Sequence, residues 1–231
     1  MVVFITRLTC IVVIFLFWIE RSFPQNTVVT IKAGEDVSIL NEHIYKYRGF
    51  TPGKVYFNDG TVARSKMNFN LLLETILFID EKGDTLALAN ENTIRYLTMG
   101  TDTFIVREGY LQLISNYGNI KLATRQKIKF LDEKNIGAYG LSTSTHTIDN
   151  YNTLRAYNTY TLKVNKDLVY SKEKKYYFSK GNDDFVTVNK KNVLKMFPHK
   201  KKLTEDYLKE HEIAWDSEHD LKNLFGYLVV N

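Results

Sequence analysis

From Ala63 the chain alternates: Ala63, Ser65, Met67, Phe69 and Leu71 point one way, Arg64, Lys66, Asn68 and Asn70 the other. That two-residue period belongs to a half-buried strand, because a helix would mix the two sets on every face. Leu71 to Ile79 is apolar on both sides, and the residues after it settle its type. Asp80-Glu81-Lys82-Gly83-Asp84 is a polar turn bearing a glycine, and Thr85 to Ala89 resumes as a β-prone run, so Leu73 to Ile79 and Thr85 to Ala89 are expected to be hairpin strands. Val55-Tyr56-Phe57 leads into Asn58-Asp59-Gly60, whose Asp-Gly pair is a strong hairpin signal.

The same rhythm predicts strands at Val28 to Ile31, Thr61 to Leu71, Ile94 to Met99, Thr103 to Arg107, Tyr110 to Ile114 and Ile120 to Phe130. Glu35 to Arg48 fits no period and stays unassigned. Connections this short join antiparallel neighbours, since a parallel crossover needs a dozen or more residues. About eight consecutive strands with ordinary twist would form a meander that curls into an open or partial barrel, with Met67, Phe69 and Leu71 inside.

Asp132 to Thr153 breaks the pattern with small and polar residues and reads as an exposed loop. Strands are expected again at Tyr160 to Val164, Leu168 to Tyr170, Lys175 to Ser179 and Phe185 to Val188. The period then becomes helical: Val193, Leu194, Met196 and Phe197; Leu203, Tyr207 and Leu208; and Leu221, Leu224, Phe225 and Leu228 predict three short helices. Ser217-Glu218-His219-Asp220 has the spacing of a capping box ahead of the last one. The fold class is therefore mainly β (α+β). Its parts are an N-terminal segment, residues 1–25, a β-meander domain, residues 26–189, and a C-terminal helical segment, residues 190–231, packed on the same domain.

Composition adds a size and a compartment. The chain has 231 residues, 44% hydrophobic and 25% charged, enough to bury roughly 70% of its unfolded surface and fold alone. Fifteen Tyr and 14 Phe against three Pro suit pleated surfaces. Arg7 precedes the apolar run Leu8 to Ile19, and Glu20 to Asn26 restores polarity, which is the layout of a secretory signal peptide and is short for a membrane span. The expected location is the periplasm or cell envelope, or, if residues 8–19 stay uncleaved, the membrane through that segment alone. Cleavage would remove Arg7 and Arg21 against Glu20, lowering the net charge of +5 by one, together with Cys10, the single cysteine. A mature chain without cysteine forms no disulfide, zinc-thiolate site or thiol nucleophile.

The chain resembles an uncharacterised family of exported proteins from Bacteroidota. The likeness rests on Val55-Tyr56-Phe57-Asn58-Asp59-Gly60, on "MNFNLLLETILFI" from Met67 to Ile79, on "GDTLAL" from Gly83 to Leu88, on "GAYG" from Gly137 to Gly140, and on "FPHKKKLTEDYLKEHEIAW" from Phe197 to Trp215 ahead of Asp220-Leu221. These are motifs of strands, turns and helices, and the family brings no assigned activity. Similar chains end the export signal on alanine, where this one has Pro24.

Chemistry is sparse. His211 and His219 have no histidine partner at i+3 or i+4, so no metal is expected. No glycine-rich phosphate loop and no EF-hand spacing occurs, so no cofactor is expected. Lys200-Lys201-Lys202 beside His199 reads as a solvated helix entrance and not as a nucleic-acid footprint. Two places remain. Arg64, Lys66, Asn68 and Asn70 put two cations and two amides on one pleated face, a candidate surface for an anionic, glycan or peptide ligand, and His146 stands in the polar loop near Asp149. No catalytic residue is assigned. The expected function is a non-enzymatic envelope platform that binds or packs on a partner, the alternative being a hydrolase of cell-wall or glycan material. A cleft with several strongly shifted titratable groups would favour the enzyme, an apolar patch without them the platform.

Overall fold

The alternation beginning near Ala63 is a strand in the computed structural model, which describes residues 27–36, 38–136, 142–144, 167–181 and 184–230. In chain order come β1 (Thr27–Ile31), α1 (Ser38–Ile44), β2 (Thr51–Phe57), β3 (Val62–Asn70), β4 (Thr75–Ile79) and β5 (Thr85–Ala87). A 3-10 turn (Glu91–Thr93) leads to β6 (Ile94–Met99), β7 (Asp102–Val106), β8 (Tyr110–Tyr117), β9 (Ile120–Ile136), β10 (Ser142–Ser144), β11 (Asp167–Lys180) and β12 (Val186–Thr187). The chain closes with α2 (Lys190–Met196), a 3-10 turn (Pro198–Lys200), α3 (Lys201–Glu210) and α4 (Glu218–Val230).

The strands form one antiparallel sheet in the order β1-β11-β9-β8-β7-β6-β2-β3-β4-β5, with β10 on β9 and β12 on β11. The protein is thus mainly antiparallel β with C-terminal helices. The sheet is open, and it curls until the Ile128 amide donates to the Leu71 carbonyl at 2.9 Å.

Two hairpin series replace the single expected meander. β6 leaves β5 and pairs with β2, setting Val55 opposite Leu97 and Tyr56 opposite Tyr96. The physical reason is burial. β5 is three residues long and exposed throughout, whereas beside β2 the inward side chains of β6, Leu97 and Met99, lose all exposure.

Other expectations change at polar stretches. β9 runs through Asp132 to Ile136, and Ser142–Ser144 pairs back on it, so the first part of the expected loop is strand. Backbone pairing with β11, such as Asp167 opposite Lys134, holds those polar residues extended. Leu168 to Tyr170 and Lys175 to Ser179 belong to one continuous strand, because Ser171 to Lys174 are paired across to β9. Within the unassigned stretch lie α1 and a bridge between Tyr45 and Asn70. Tyr160 to Val164, the rest of the polar loop and the N-terminal apolar run lie outside the described residues.

Two hydrophobic clusters cover one face of the sheet. In the first, β1 and α1 bring Ile31 and Ile44 onto Val55, Met67, Phe69, Leu97, Met99, Phe104 and Tyr170. In the second, Ile120, Leu122, Tyr176 and Phe178 meet Val193, Phe197, Leu221, Leu224, Phe225 and Leu228. Each of these large side chains contributes about 1.5–3 kcal/mol by its burial.

β9 and β11 serve both clusters with the same side. Their even-numbered residues read Ile120, Leu122, Thr124, Gln126, Ile128 and Tyr170, Lys172, Lys174, Tyr176, Phe178. The polar middle of each strand marks the boundary between the two covers. The last helix starts as half a capping box: the Asp220 amide donates to Ser217 Oγ at 3.3 Å, but the Asp220 carboxylate accepts from Ala214 N–H at 3.0 Å instead of returning to the cap.

Candidate functional site

The stripe on β3 is split by its surroundings. Arg64 and Lys66 are exposed, while Asn68 and Asn70 are each only 2% exposed. The chain leaving α1 runs along this end of β3, where Leu71 N–H donates to the Ile44 carbonyl at 2.7 Å and Lys46 N–H to the Phe69 carbonyl at 3.0 Å. Asn68 grips that chain with both ends of its amide: its oxygen accepts from Tyr47 N–H at 3.2 Å and its nitrogen donates to the Tyr47 carbonyl at 2.9 Å. The Asn70 oxygen accepts from Leu72 N–H at 3.1 Å and Leu73 N–H at 2.9 Å, shaping the turn into β4. The two asparagines are positioned as structural clamps, and only the two cations of the stripe face solvent. His146 lies outside the described residues.

Asn68 borders a cleft of about 740 Å³ that Glu42, His43, Tyr45, Lys46 and Tyr47 also line. Two of its lining residues, Lys46 and Tyr47, belong to a polar group that local sequence gives no hint of. Lys46 Nζ donates to Gln112 Oε1 at 2.8 Å and lies 3.7 Å from Asp102 Oδ2, and Tyr47 Oη donates to the same Asp102 oxygen at 2.6 Å. Lys46 and Asp102 side chains keep 13% and 26% of their exposure. Burial pulls the Lys46 ammonium below its usual range despite the opposing pull of Asp102. Burial, followed by the bond to Asp102, pushes the Tyr47 phenol far up, so it stays protonated and donating. Lysine, tyrosine and carboxylate are engaged with one another, which ties the α1–β2 connection to β7 and β8.

The polar boundary continues toward the helices. Glu218 accepts from Lys174 at 3.0 Å and from Lys222 at 2.8 Å. Burial alone would raise the Glu218 carboxyl, but the two lysines outweigh it and hold it low.

A further recess is apolar. At the edge of the first cluster, Val55, Phe57, Ala63, Met67, Phe78 and Leu88 line a slot of about 340 Å³ that Arg64, Asp80 and Glu81 also border. Register explains the lining. Val55 stands opposite Ala63 and Met67 opposite Phe78, so these side chains share one side of three adjacent strands. The expected inner face, Met67, Phe69 and Leu71, is buried as anticipated, whereas Ala63 on the same side stays exposed and leaves the slot open.

Among the described residues no group of three His, Cys, Asp or Glu side chains could hold a metal ion. No helix among them is long and apolar enough to cross a membrane. The chain matches no family model, no curated protein and no solved structure.

Proposed function

We propose that this chain is an exported, non-enzymatic binding platform whose inner-face slot receives an apolar group of its ligand or partner. The observation behind this reading is the recess lined by Val55, Phe57, Met67, Phe78 and Leu88 and left open beside exposed Ala63. An apolar recess that stays open on a folded chain is a place where an apolar group of another molecule can sit. The hydrolase reading has less support, because the half-buried ionisable cluster of Lys46, Tyr47 and Asp102 directs its donors at its own acceptors. Export rests on the apolar run Leu8 to Ile19 behind Arg7.

A photo-crosslinking residue at Ala63, inside the slot, tests the recess in living cells, with the same residue at exposed Lys129 as control. A discrete adduct at Ala63 and none at Lys129 is expected. No adduct at Ala63, or the same ladder from both positions, would remove the slot from the proposal. Cell fractionation with N-terminal sequencing tests export, and full-length protein in the cytosol would overturn that part.

A further inference from the structure

The outer side of β2, β3 and β6 collects cations around a tyrosine pair. Register places Lys54 directly opposite Arg64, Pro52 opposite Lys66 and Tyr56 opposite Val62. On the other edge of β2, Tyr56 faces Tyr96, and their rings stack with centroids 4.4 Å apart and planes 19° from parallel. Arg95, at the irregularity of β6, brings its guanidinium to 6.0 Å from the Tyr96 ring centre. Lys54, Arg64, Lys66 and Arg95 are all exposed.

A fold has no use of its own for this charge pattern. Like charges directly opposite on neighbouring strands, with Cβ atoms about 5 Å apart, destabilise a sheet. Among the described residues none of the four cations makes an ion pair. The carboxylates close in the chain do not neutralise them: Asp59 turns back to accept from Thr61 N–H at 2.8 Å and Thr61 Oγ1 at 2.7 Å. Glu81, in the neighbouring turn, pairs with none of the four. The tyrosine rings lean on each other, and Arg95 lies against Tyr96, so ring faces of the pair are already taken. Four unpaired cations beside hydroxyl-bearing rings suit a chain that alternates carboxylates with hydroxyls, while a stack of bases would need free ring faces.

The geometry points to a binding surface for an acidic polysaccharide, formed by Lys54, Arg64, Lys66 and Arg95 around Tyr56 and Tyr96. The site shares Arg64 with the rim of the inner-face slot, whereas Lys54, Lys66 and Arg95 lie outside the slot. Its test is calorimetric titration of the purified chain with an oligosaccharide of uronic acid units, beside the neutral oligosaccharide of equal length and a single-stranded oligonucleotide of equal charge. Binding to the acidic sugar alone is expected, weakening as salt rises. Replacing Arg64 and Lys66 together by alanine weakens it about tenfold, while alanine at Lys129 leaves it unchanged. Lys54→Thr gives the most telling pair of readouts: relief of the like-charge opposition raises the melting midpoint while affinity falls. Failure to bind the acidic oligosaccharide, equal binding of the oligonucleotide, or affinity unmoved by Arg64 and Lys66 replacement overturns the assignment.

Discussion

Asn68→Ala separates a clamp from a ligand-facing amide. The wild-type side chain, 2% exposed, exchanges two hydrogen bonds with the backbone of Tyr47, at 3.2 and 2.9 Å. Each neutral bond contributes about 1 kcal/mol net, and stranded partners in a dry site would cost more. The cleft beside Tyr47 is open, so water re-enters and the loss stays near the sum of the bonds, about 2 kcal/mol. For a chain of this size that lowers the melting midpoint by about 4–8 °C. Lys66→Ala, two residues away on the same face but exposed, stays within about 0.5 kcal/mol. Asn68→Asp keeps the acceptor but points a carboxylate at the Tyr47 carbonyl. It matches the alanine variant at neutral pH and recovers stability in acid, where its protonated form can donate. Urea unfolding of the four proteins measures this. An Asn68→Ala loss below about 0.5 kcal/mol, or one equalled by Lys66→Ala, would refute the clamp.

Tyr47, Tyr110 and Tyr170 all have phenols raised above the ordinary 10.0, chiefly by burial. The unfolded chain releases those protons first, so their stability contribution is complete below pH 10 and is lost as pH climbs above it. Phenolate absorbance should therefore rise in two phases, the second together with loss of the far-ultraviolet dichroism of the sheet; full ionisation with the fold intact would refute this. Tyr170→Phe removes a buried hydroxyl without a hydrogen-bond partner and is expected to raise stability by about 1 kcal/mol in urea unfolding, a loss being the contrary result. Gly53→Ala would put a Cβ 2.6 Å from the Thr98 carbonyl oxygen and against Met67; a backbone atom cannot step aside, so a loss of about 2–3 kcal/mol is expected by the same measurement, and a neutral change would contradict the register of β2 between β3 and β6.

Side-chain alternation reported faces well and coverage poorly. It put Asn68 and Asn70 on the side away from Met67 and Phe69, which is where they point, but nothing in nine residues of strand tells that the chain leaving α1 lies over that end. Lys46, Asp102 and Gln112 are brought together by register alone, since Lys46 and Gln112 stand 66 positions apart and Tyr47 and Asp102 stand 55 apart. The polar run Ser171 to Lys174 was legible as polar and misleading as a break. A half-buried strand is expected to keep one apolar side along its whole length only if a single cover lies on that side. β9 and β11 serve two clusters, the one that includes Ile44 of α1 at one end and the one with the C-terminal helices at the other, so polar residues on the covered side fall between them. Gln126 stands opposite Lys174 there, and Lys174 meets Glu218 at the start of α4. An apolar–polar–apolar order at two-residue spacing within one long strand is then the mark of two caps sharing a sheet, and it needs no turn residue to explain it. The absence of glycine, proline and asparagine between Tyr170 and Tyr176 is what distinguishes that case from two strands joined by a turn.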